Sequence, residues 1–344
     1  MSPQTAKEWT DQNADADAPG AARQQDELPM MEDAAEVLSK PIILPPDVIE
    51  GLLHRGAKMV LGGASKTFKT WTLIDLAVSV ATGTDFLGKF PTKRGRVLYI
   101  NLELQGAFFA DRLRVVCDER QLGLERDYLK VWNLRGKAAD LLKLRQQLLR
   151  GRDEFVLTIL DPVYKLLGRR DENKAGDIAS LLNEIESLTV ETDAAAAFGA
   201  HYSKGNQAGK EVIDRIGGSG VFSRDPDSIL NFTKHEQEDC FTVDATLRNH
   251  PPIKSFVVRW EYPLMCVDVT LNPAQLKQAA GRPELYHADD LLKLIDRSMK
   301  AKDIVKAAHD ELDMPRRRVF ELLAELKAGD RLKQPQERGD YVPV

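Results

Sequence analysis

The chain has 344 residues, of which 43% are hydrophobic and 29% charged, a composition that accommodates one large core and a small second domain. Its formal net charge of −5 excludes a protein that coats nucleic acid by bulk charge, so any basic binding surface must be local. Short apolar runs, no secretory signal pattern and three scattered cysteines without zinc-ligand spacing favour a cytoplasmic protein with no membrane partner.

The N-terminal region is poor in large apolar residues. Residues 1–42 are rich in Ala, Asp, Glu and Gln, so they are predicted to form a disordered acidic leader, with a short helix near residues 31–38. After Pro45 and Pro46, we expect Asp47 to cap a short helix that runs to Leu53.

Strand-like and helix-like segments then alternate along the chain. Strands are predicted at 58–61, 97–100, 128–132, 155–160 and 194–200, with helices at 69–81, 111–121, 138–149 and 177–192. This alternation predicts an α/β domain, residues 43–270, with a parallel sheet covered on both faces. Closely spaced strands at 229–232, 240–247 and 256–260 predict antiparallel hairpins at one edge of that sheet.

The C-terminal region has a different pattern. Residues 271–287 are predicted to be a linker, and helices are predicted at 288–295, 302–311 and 315–327. Two short extended pieces follow between residues 332 and 342. Three helices and a small ribbon predict a winged helix-turn-helix domain at 288–344, with Pro315 in the first turn of the third helix.

The strongest chemical motif lies between the first long strand and its helix. It reads, in order, Gly63, Ala64, Ser65, Lys66, Thr67, Phe68, Lys69 and Thr70. A phosphate-binding loop has the pattern G-x-x-x-x-G-K-[ST], and this segment matches it at every defining position except Phe68. Backbone N–H groups at the start of the following helix would surround phosphate oxygens. These eight residues are therefore the predicted nucleotide-binding loop.

Three residues of this loop carry distinct expectations. Lys69 is expected to reach the β- and γ-phosphates of ATP, and the Thr70 hydroxyl is expected to bind Mg²⁺. Phe68 occupies the position of a glycine, which tolerates unusual dihedrals and lets the backbone approach phosphate. Its effect on nucleotide affinity is therefore left open by the sequence.

A second motif is the apolar segment 155–160, which ends in Asp161. A buried strand that ends in a carboxylate downstream of a phosphate-binding loop is typical of the residue that holds the Mg²⁺ of a nucleotide site. Asp161 and Thr70 are thus the predicted metal ligands.

Residues 99–103, Tyr-Ile-Asn-Leu-Glu, resemble the segment of RecA-like ATPases that carries the catalytic carboxylate. By this resemblance Glu103 polarises the attacking water. Residues 201–205, His-Tyr-Ser-Lys-Gly, resemble the His-x-x-Lys segment of RecA-like hexameric helicases of the plasmid RepA type. That resemblance implies that His201 senses the γ-phosphate, and it adds Lys204 to the expected nucleotide-binding residues. Trp71, which directly follows the loop, is also expected to bind nucleotide.

The polar, glycine-rich segment 206–227 is expected to be a functional loop. In the RepA-like family an arginine in the matching segment reaches the nucleotide of the neighbouring subunit and neutralises charge during phosphoryl transfer. Arg215 fits this role best, and Arg224 is the alternative. The resemblance, which covers residues 45–262, implies a RecA-like ATPase that forms a homo-oligomer and acts on single-stranded DNA. At the level of the family it also implies helicase action in plasmid or phage replication.

The predicted third helix of the C-terminal domain opens with Arg316, Arg317 and Arg318. A recognition helix in this position would place them against duplex DNA, where they would contact phosphates or guanine edges. The acidic residues nearby leave protein binding open as the alternative. Two further alternatives for the whole chain are a nucleotide-sensing DNA-binding regulator with little turnover and a helicase-loader or recombination-mediator scaffold.

Overall fold

The computed structural model describes residues 30–137, 141–150, 154–168, 170–172, 174–201, 221–222, 224–277, 286–334 and 339–343. The chain divides into two compact units, Met1–Leu44 and Pro45–Val344. In the described part of the first unit, helix α1 spans Ala34–Ser39, and its N-cap Asp33 accepts a hydrogen bond from the Ala35 N–H. The predicted short helix is therefore confirmed, with its start three residues later than expected.

The second unit begins with a small ribbon, so the predicted helix between Asp47 and Leu53 is wrong. Strand β1 (Asp47–Ile49) pairs antiparallel with β2 (Leu53–His54). The Asp47 carboxylate accepts a 3.0 Å hydrogen bond from the Gly51 N–H, and Gly51 has a φ of 65°. The carboxylate thus closes a tight turn instead of capping a helix.

The described residues include one sheet of nine strands. In chain order they are β3 (Lys58–Gly63), β4 (Val97–Asn101), β5 (Leu129–Asn133), β6 (Leu157–Asp161), β7 (Ala195–His201), β8 (Ser228–Lys234), β9 (Cys240–Leu247), β10 (Phe256–Glu261) and β11 (Leu264–Asp268). Their order across the sheet is β11-β10-β9-β8-β3-β7-β6-β4-β5.

The sheet is mixed, with a parallel centre. Strands β8, β3, β7, β6, β4 and β5 are mutually parallel, and β9, β10 and β11 continue the sheet with antiparallel pairing. The predicted parallel sheet with antiparallel edge strands is confirmed. Strand β8 differs from expectation because it pairs parallel with β3 as well as antiparallel with β9, and β11 was not predicted.

Helices cover both faces of the sheet. They are α2 (Lys69–Thr82), α3 (Gly106–Glu119), α4 (Leu141–Arg150) and α5 (Ala175–Thr192), together with a short 3-10 helix, Val163–Leu167. Alternate side chains of β3 enter different cores. Met59 and Leu61 pack with α2 and α3, whereas Val60 packs with α4 and α5. This two-residue alternation between two apolar cores explains why β3 is buried along its whole length.

The strand order places several polar strand ends side by side. Strand β3 lies between β7 and β8, and in the register Gly63 pairs with His201. Strand β6 lies between β4 and β7, and Asn101 pairs with Asp161. In open α/β sheets, ligands bind at the carboxyl ends of the strands. The carboxyl ends of β3, β4, β6 and β7 are therefore the edge where a site is expected.

Residues 286–334 and 339–343 contain three helices and a small ribbon, as predicted. The helices are α6 (Ala288–Lys293), α7 (Ala301–Leu312) and α8 (Arg316–Ala328), and β12 (Leu332–Lys333) pairs antiparallel with β13 (Val342–Pro343). They enclose their own apolar cluster, which includes Leu291, Ile304 and Leu322. Pro315 is the N-cap of α8, so this helix begins one residue later than predicted. The identification of this region as a winged helix stays a prediction.

The first part of the predicted linker packs against the sheet. The Glu236 N–H donates to the Gln275 carbonyl, and the Lys277 N–H donates to the Lys234 carbonyl. Both hydrogen bonds are 2.9 Å long. Residues 278–285 lie outside the described residues. Among the described helices, none combines the length and apolar character that a membrane span requires.

Candidate functional site

The loop at residues 63–68 is a tight turn between β3 and α2. A Cβ atom at Gly63 would lie only 2.5 Å from Oγ1 of Thr67. The Thr67 hydroxyl in turn donates a 2.9 Å hydrogen bond to the Ala64 carbonyl. A side chain at position 63 would therefore displace the Thr67 hydroxyl from this hydrogen bond, because the loop folds back on itself at that point.

Phe68 adopts the backbone conformation that its glycine counterpart would favour. Its φ is 58° and its ψ is 23°, which lie in the left-handed region, and Lys66 also has a positive φ of 62°. This conformation costs an L-residue about 1–2 kcal/mol. The Phe68 ring stacks on Trp260 with centroids 4.0 Å apart and planes 6° apart. The backbone at position 68 thus lies in the region that glycine adopts without strain, despite the substitution.

Lys69 begins α2 with its ammonium group turned into the loop. Its Nζ donates hydrogen bonds to the carbonyls of Gly63 (3.0 Å) and Ala64 (2.8 Å). Burial lowers the pKa of Lys69 to about 8, against the opposing effect of the Asp161 carboxylate. The loop therefore holds a partly desolvated cation at the position where the motif predicts phosphate binding.

Asp161 lies at the end of β6, beside Lys69. The Tyr99 hydroxyl donates a 2.7 Å hydrogen bond to its Oδ2 atom, and the Thr70 side chain hydrogen-bonds to the same carboxylate. Burial raises the pKa of Asp161, whereas the hydrogen bonds from Tyr99 and Thr70 lower it, and the nearby Glu103 carboxylate raises it further. The two predicted metal ligands, Thr70 and Asp161, are thus neighbours.

Glu103 is exposed on a turn that directly follows β4. The Asn101 side chain closes this turn, since its Nδ2 donates to the Leu104 carbonyl and its Oδ1 accepts from the Leu104 N–H. The Asn101 Nδ2 also donates a 2.7 Å hydrogen bond to Oδ1 of Asn133. The charge of Glu103 acts on both Asp161 and His201. The predicted water-polarising carboxylate therefore lies at the same edge as the loop.

His201 ends β7 and approaches the loop lysine. Its Nδ1 lies 3.5 Å from Nζ of Lys69. Burial and the Lys69 charge lower the pKa of His201, whereas Glu103 and Glu172 raise it. An imidazole kept neutral beside an ammonium can accept a hydrogen bond from it. The structure thus places His201 in contact with the group expected to hold the γ-phosphate.

The remaining predicted site residues fall into three groups. Ser65 and Lys66 are exposed on the loop. The Trp71 ring lies 5.8 Å from that of Trp260 and 5.4 Å from that of Tyr262. Lys204 and Arg215 lie outside the described residues.

Arg224 is exposed at the opposite edge of the sheet. It directly precedes Asp225, whose carboxylate pairs with the Lys58 ammonium at the start of β3. The six residues of β3 separate that point from the loop, roughly 20 Å of extended chain. Arg224 therefore does not approach Lys69 of its own chain.

Sequence reasoning missed three residues that shape the site: Tyr99, Asn101 and Trp260. Tyr99 is fully buried, and its hydroxyl is committed to Asp161. Asn101 is a buried polar residue at a strand end, where the sequence offered only the polarity itself as a signal. Trp260 had no signal in the sequence, because its contact with Phe68 joins positions 192 residues apart.

The donor chemistry at this edge fits a magnesium ion. Mg²⁺ is usually bound through one or two carboxylates and hydroxyls, together with substrate phosphates and water. The neighbouring Thr70 and Asp161 side chains supply such oxygens. In the described ranges, no group of three or more His, Cys, Asp or Glu side chains is arranged to hold a metal without such a substrate.

The arginines that begin α8 form a separate cluster. Arg317 and Arg318 both pair with Glu321, at 2.9 and 3.4 Å, and the Arg316 guanidinium lies 5.8 Å from the centre of the Phe320 ring. Hydrogen bonds from the two arginines lower the pKa of Glu321. Cations in a first helical turn are unfavourable to the helix dipole, but the pairs with Glu321 stabilise the helix and offset part of that cost.

A strand–loop–helix that buries a lysine, beside a strand-end carboxylate on a mostly parallel sheet, defines an α/β P-loop NTPase. A protein-family model described as an AAA domain matches residues 24–207, more than half of the chain. The chain belongs to this AAA-domain family of P-loop ATPases. No curated protein matches the chain.

Proposed function

We propose that the protein binds and hydrolyses ATP as a RecA-like ATPase of the RepA type and that it acts on DNA. One observation carries the ATPase proposal. Five side chains predicted from separate segments of the sequence interact by charge or hydrogen bonding at a single edge of the sheet. They are Lys69, Thr70, Asp161, Glu103 and His201. The RepA-type assignment rests on the resemblance of the same segments and on the parallel sheet with its antiparallel edge.

In this proposal each residue has a separate task. The backbone N–H groups at the start of α2 and the Lys69 ammonium hold the phosphates, because both offer positive charge to an anion. Glu103, exposed on its turn, accepts a proton from the attacking water. His201, next to Lys69, exchanges hydrogen-bond partners when a γ-phosphate displaces the loop carbonyls from that lysine.

Thr70 and Asp161 would hold Mg²⁺, which neutralises charge on the phosphates when it is bound. The Asp161 carboxylate is ready for this role at neutral pH only if it is ionised, and hydrogen bonds from Tyr99 and Thr70 favour that state. Burial opposes it. Tyr99 is thus a positioning residue for the proposed metal ligand.

A neighbouring subunit would complete the site. The proposal assigns to Arg215 of that neighbour the neutralisation of charge in phosphoryl transfer. Arg224 is too far from Lys69 of its own chain, so it could serve only across an interface. A homo-oligomer, in the form of a ring or a DNA-assembled filament, follows from this assignment.

DNA enters the proposal at two places. Single-stranded DNA would be bound by the ATPase oligomer, and duplex DNA would be contacted by Arg316, Arg317 and Arg318 of α8. The support for the second contact is that Arg316 and Arg317 are exposed at the start of α8, where a recognition helix would present them to phosphates. Protein binding by this region is the alternative.

The proposal is tested by steady-state ATP hydrolysis of the purified protein with and without single-stranded DNA. Stimulation by DNA, lost in Lys69→Ala, supports a DNA-dependent ATPase. Turnover that DNA does not change contradicts the DNA part of the proposal. ATP binding without turnover in either condition would instead support a nucleotide-sensing regulator.

A further inference from the structure

The aromatic residues beside the phosphate-binding loop form a connected group. Phe68 stacks face to face on Trp260 and meets Phe241 edge-on at 6.1 Å. Trp260 is also 5.8 Å from Trp71, and both tryptophans contact Tyr262. Phe68 and Trp71 flank Lys69 and Thr70 in the chain. Trp260 therefore contacts the residues directly before and directly after the two expected to bind nucleotide.

Trp260 is itself held firmly by the sheet. It lies on β10 and pairs with Met265 of β11, and its backbone N–H donates a 2.8 Å hydrogen bond to the Asp239 carbonyl. The ring that supports Phe68 therefore belongs to the antiparallel part of the sheet and not to the loop. A stack on a residue anchored in the sheet can stabilise a backbone conformation that its partner does not favour.

Phe68 needs such support. Its left-handed φ of 58° is uncommon for a bulky residue, whereas a glycine adopts it without strain. The same backbone unit begins α2, since the Phe68 carbonyl accepts from the Thr72 N–H at 3.0 Å and from the Thr72 hydroxyl at 3.2 Å. If Phe68 left this conformation, the start of α2 and its N–H groups would move with it.

We propose that Trp260 is a positioning residue for nucleotide binding, which holds Phe68 in the left-handed conformation and so keeps the phosphate-binding loop in its binding shape. In this chain the aromatic stack replaces the conformational freedom of the missing glycine. The proposal rests on the proposed function, because it takes the loop to be the nucleotide-binding element.

Binding of Mg-ATP by a set of variants tests the proposal. Trp260→Leu removes the stack and is expected to weaken binding about tenfold, the range set by the strain of a left-handed L-residue. In the background of Phe68→Gly the same Trp260→Leu change is expected to alter binding less than about twofold. An equal loss in both backgrounds would overturn the proposal, because Trp260 would then act directly on nucleotide or on the fold.

Phe68 itself provides a second comparison that leaves Trp260 in place. Phe68→Ala removes the ring but keeps a Cβ atom, whereas Phe68→Gly removes both. We expect Phe68→Ala to bind Mg-ATP about tenfold more weakly than Phe68→Gly. Equal affinities of these two variants would contradict the proposal even if Trp260→Leu did not fold.

Two controls separate this proposal from the proposed function. Trp132→Leu makes the same change on β5, where Trp132 packs against the other apolar core, and it should leave Mg-ATP affinity unchanged. Lys69→Ala should abolish binding. If Lys69→Ala binds like the parent, the proposed function fails. If Lys69→Ala loses binding while Trp260→Leu does not weaken it, only the positioning role fails.

Hydrogen exchange without nucleotide gives a readout that does not depend on ATP. The Thr72 amide, which is bonded to the Phe68 carbonyl, should exchange faster in Trp260→Leu than in the parent or in Trp132→Leu. Unchanged exchange at this amide would overturn the claim that Trp260 holds the loop.

Discussion

The Tyr99 hydroxyl donates a 2.7 Å hydrogen bond to Oδ2 of Asp161 across the neighbouring strands β4 and β6. Tyr99 is fully buried, so water does not replace this donor. The bond ties the proposed metal ligand to the strand whose end carries Glu103. Two of the residues proposed for the chemistry are therefore positioned through one pair of adjacent strands.

Replacing Tyr99 by Phe should make Mg-ATP binding more sensitive to acid. The hydrogen bond from Tyr99 lowers the pKa of Asp161, so its removal raises that pKa and protonates the carboxylate at a higher pH. Affinity for Mg-ATP, measured between pH 5 and pH 8, should therefore fall at a higher pH in Tyr99→Phe than in the parent. Tyr128→Phe, at the residue directly before β5, serves as the control. If affinity falls at the same acid pH in all three proteins, the assignment is contradicted.

Replacing Lys69 by Met should change the pH dependence of stability. The folded protein lowers the pKa of Lys69 to about 8, below its ordinary value of 10.5. Between these values the unfolded chain binds more protons than the native protein, so this lysine makes the parent more stable as pH rises. Relative to the parent, Lys69→Met should thus be more stable at pH 7 than at pH 10. Urea unfolding at both pH values measures this, and a difference of the opposite sign contradicts the burial of a charged Lys69.

Replacing Asn101 by Ala should slow turnover more than it weakens binding. The Asn101 side chain closes the turn that carries Glu103, and its hydrogen bonds go to Leu104 and Asn133, which lie outside residues 63–70. A carboxylate misplaced by about 1 Å can cost up to roughly a hundredfold in rate, so we expect kcat to fall ten- to a hundredfold with KM little changed. Asn249→Ala, at the far edge of the sheet, is the control. A rise in KM at constant kcat would argue against this role.

Replacing Arg120 by Met should destabilise the contact between α2 and α3. The Arg120 guanidinium pairs with the buried Asp75 carboxylate at 2.6 Å and also bonds to Thr84 and Asp85. Loss of one partner of a buried pair costs about 3–5 kcal/mol of unfolding free energy. Burial raises the pKa of Asp75 and Arg120 lowers it, so without Arg120 ionisation of this carboxyl becomes more costly. The loss of unfolding free energy in Arg120→Met should therefore grow as pH rises.

Urea unfolding at pH 5 and pH 8 measures this effect. The additional change Asp75→Asn removes the unpaired charge and should restore part of the lost stability. A deficit that is independent of pH, or a double variant less stable than Arg120→Met alone, would contradict the pairing.

The parts of the site that the sequence predicted are those encoded in short segments. Lys69 and Thr70 follow a contiguous motif, and Asp161 ends a run of apolar residues, so each could be assigned without knowing its spatial neighbours. The helices and the parallel strands were likewise predictable from local hydrophobic periodicity. The error at Asp47 arose because a carboxylate can cap a helix or close a turn, and only the buried pairing of β1 with β2 decides between them.

The residues that the sequence could not identify act through strand pairing. Tyr99 is one of several apolar residues in β4 until β6 brings Asp161 beside it. Phe68 was recognised only as a departure from glycine, and its support by Trp260 depends on β10 lying near the loop. Long-range pairings of this kind leave no pattern in a single sequence.

In the proposed function, Lys69 and Glu103 belong to one site that binds and hydrolyses ATP. Binding of Mg-ATP and its single-turnover hydrolysis, measured side by side in the parent, Lys69→Ala and Glu103→Gln, test whether the two residues share one site. We expect Lys69→Ala to lose binding, and Glu103→Gln to bind but to hydrolyse ATP at least about a hundredfold more slowly. Hydrolysis at the parent's rate in either variant would contradict the proposed function.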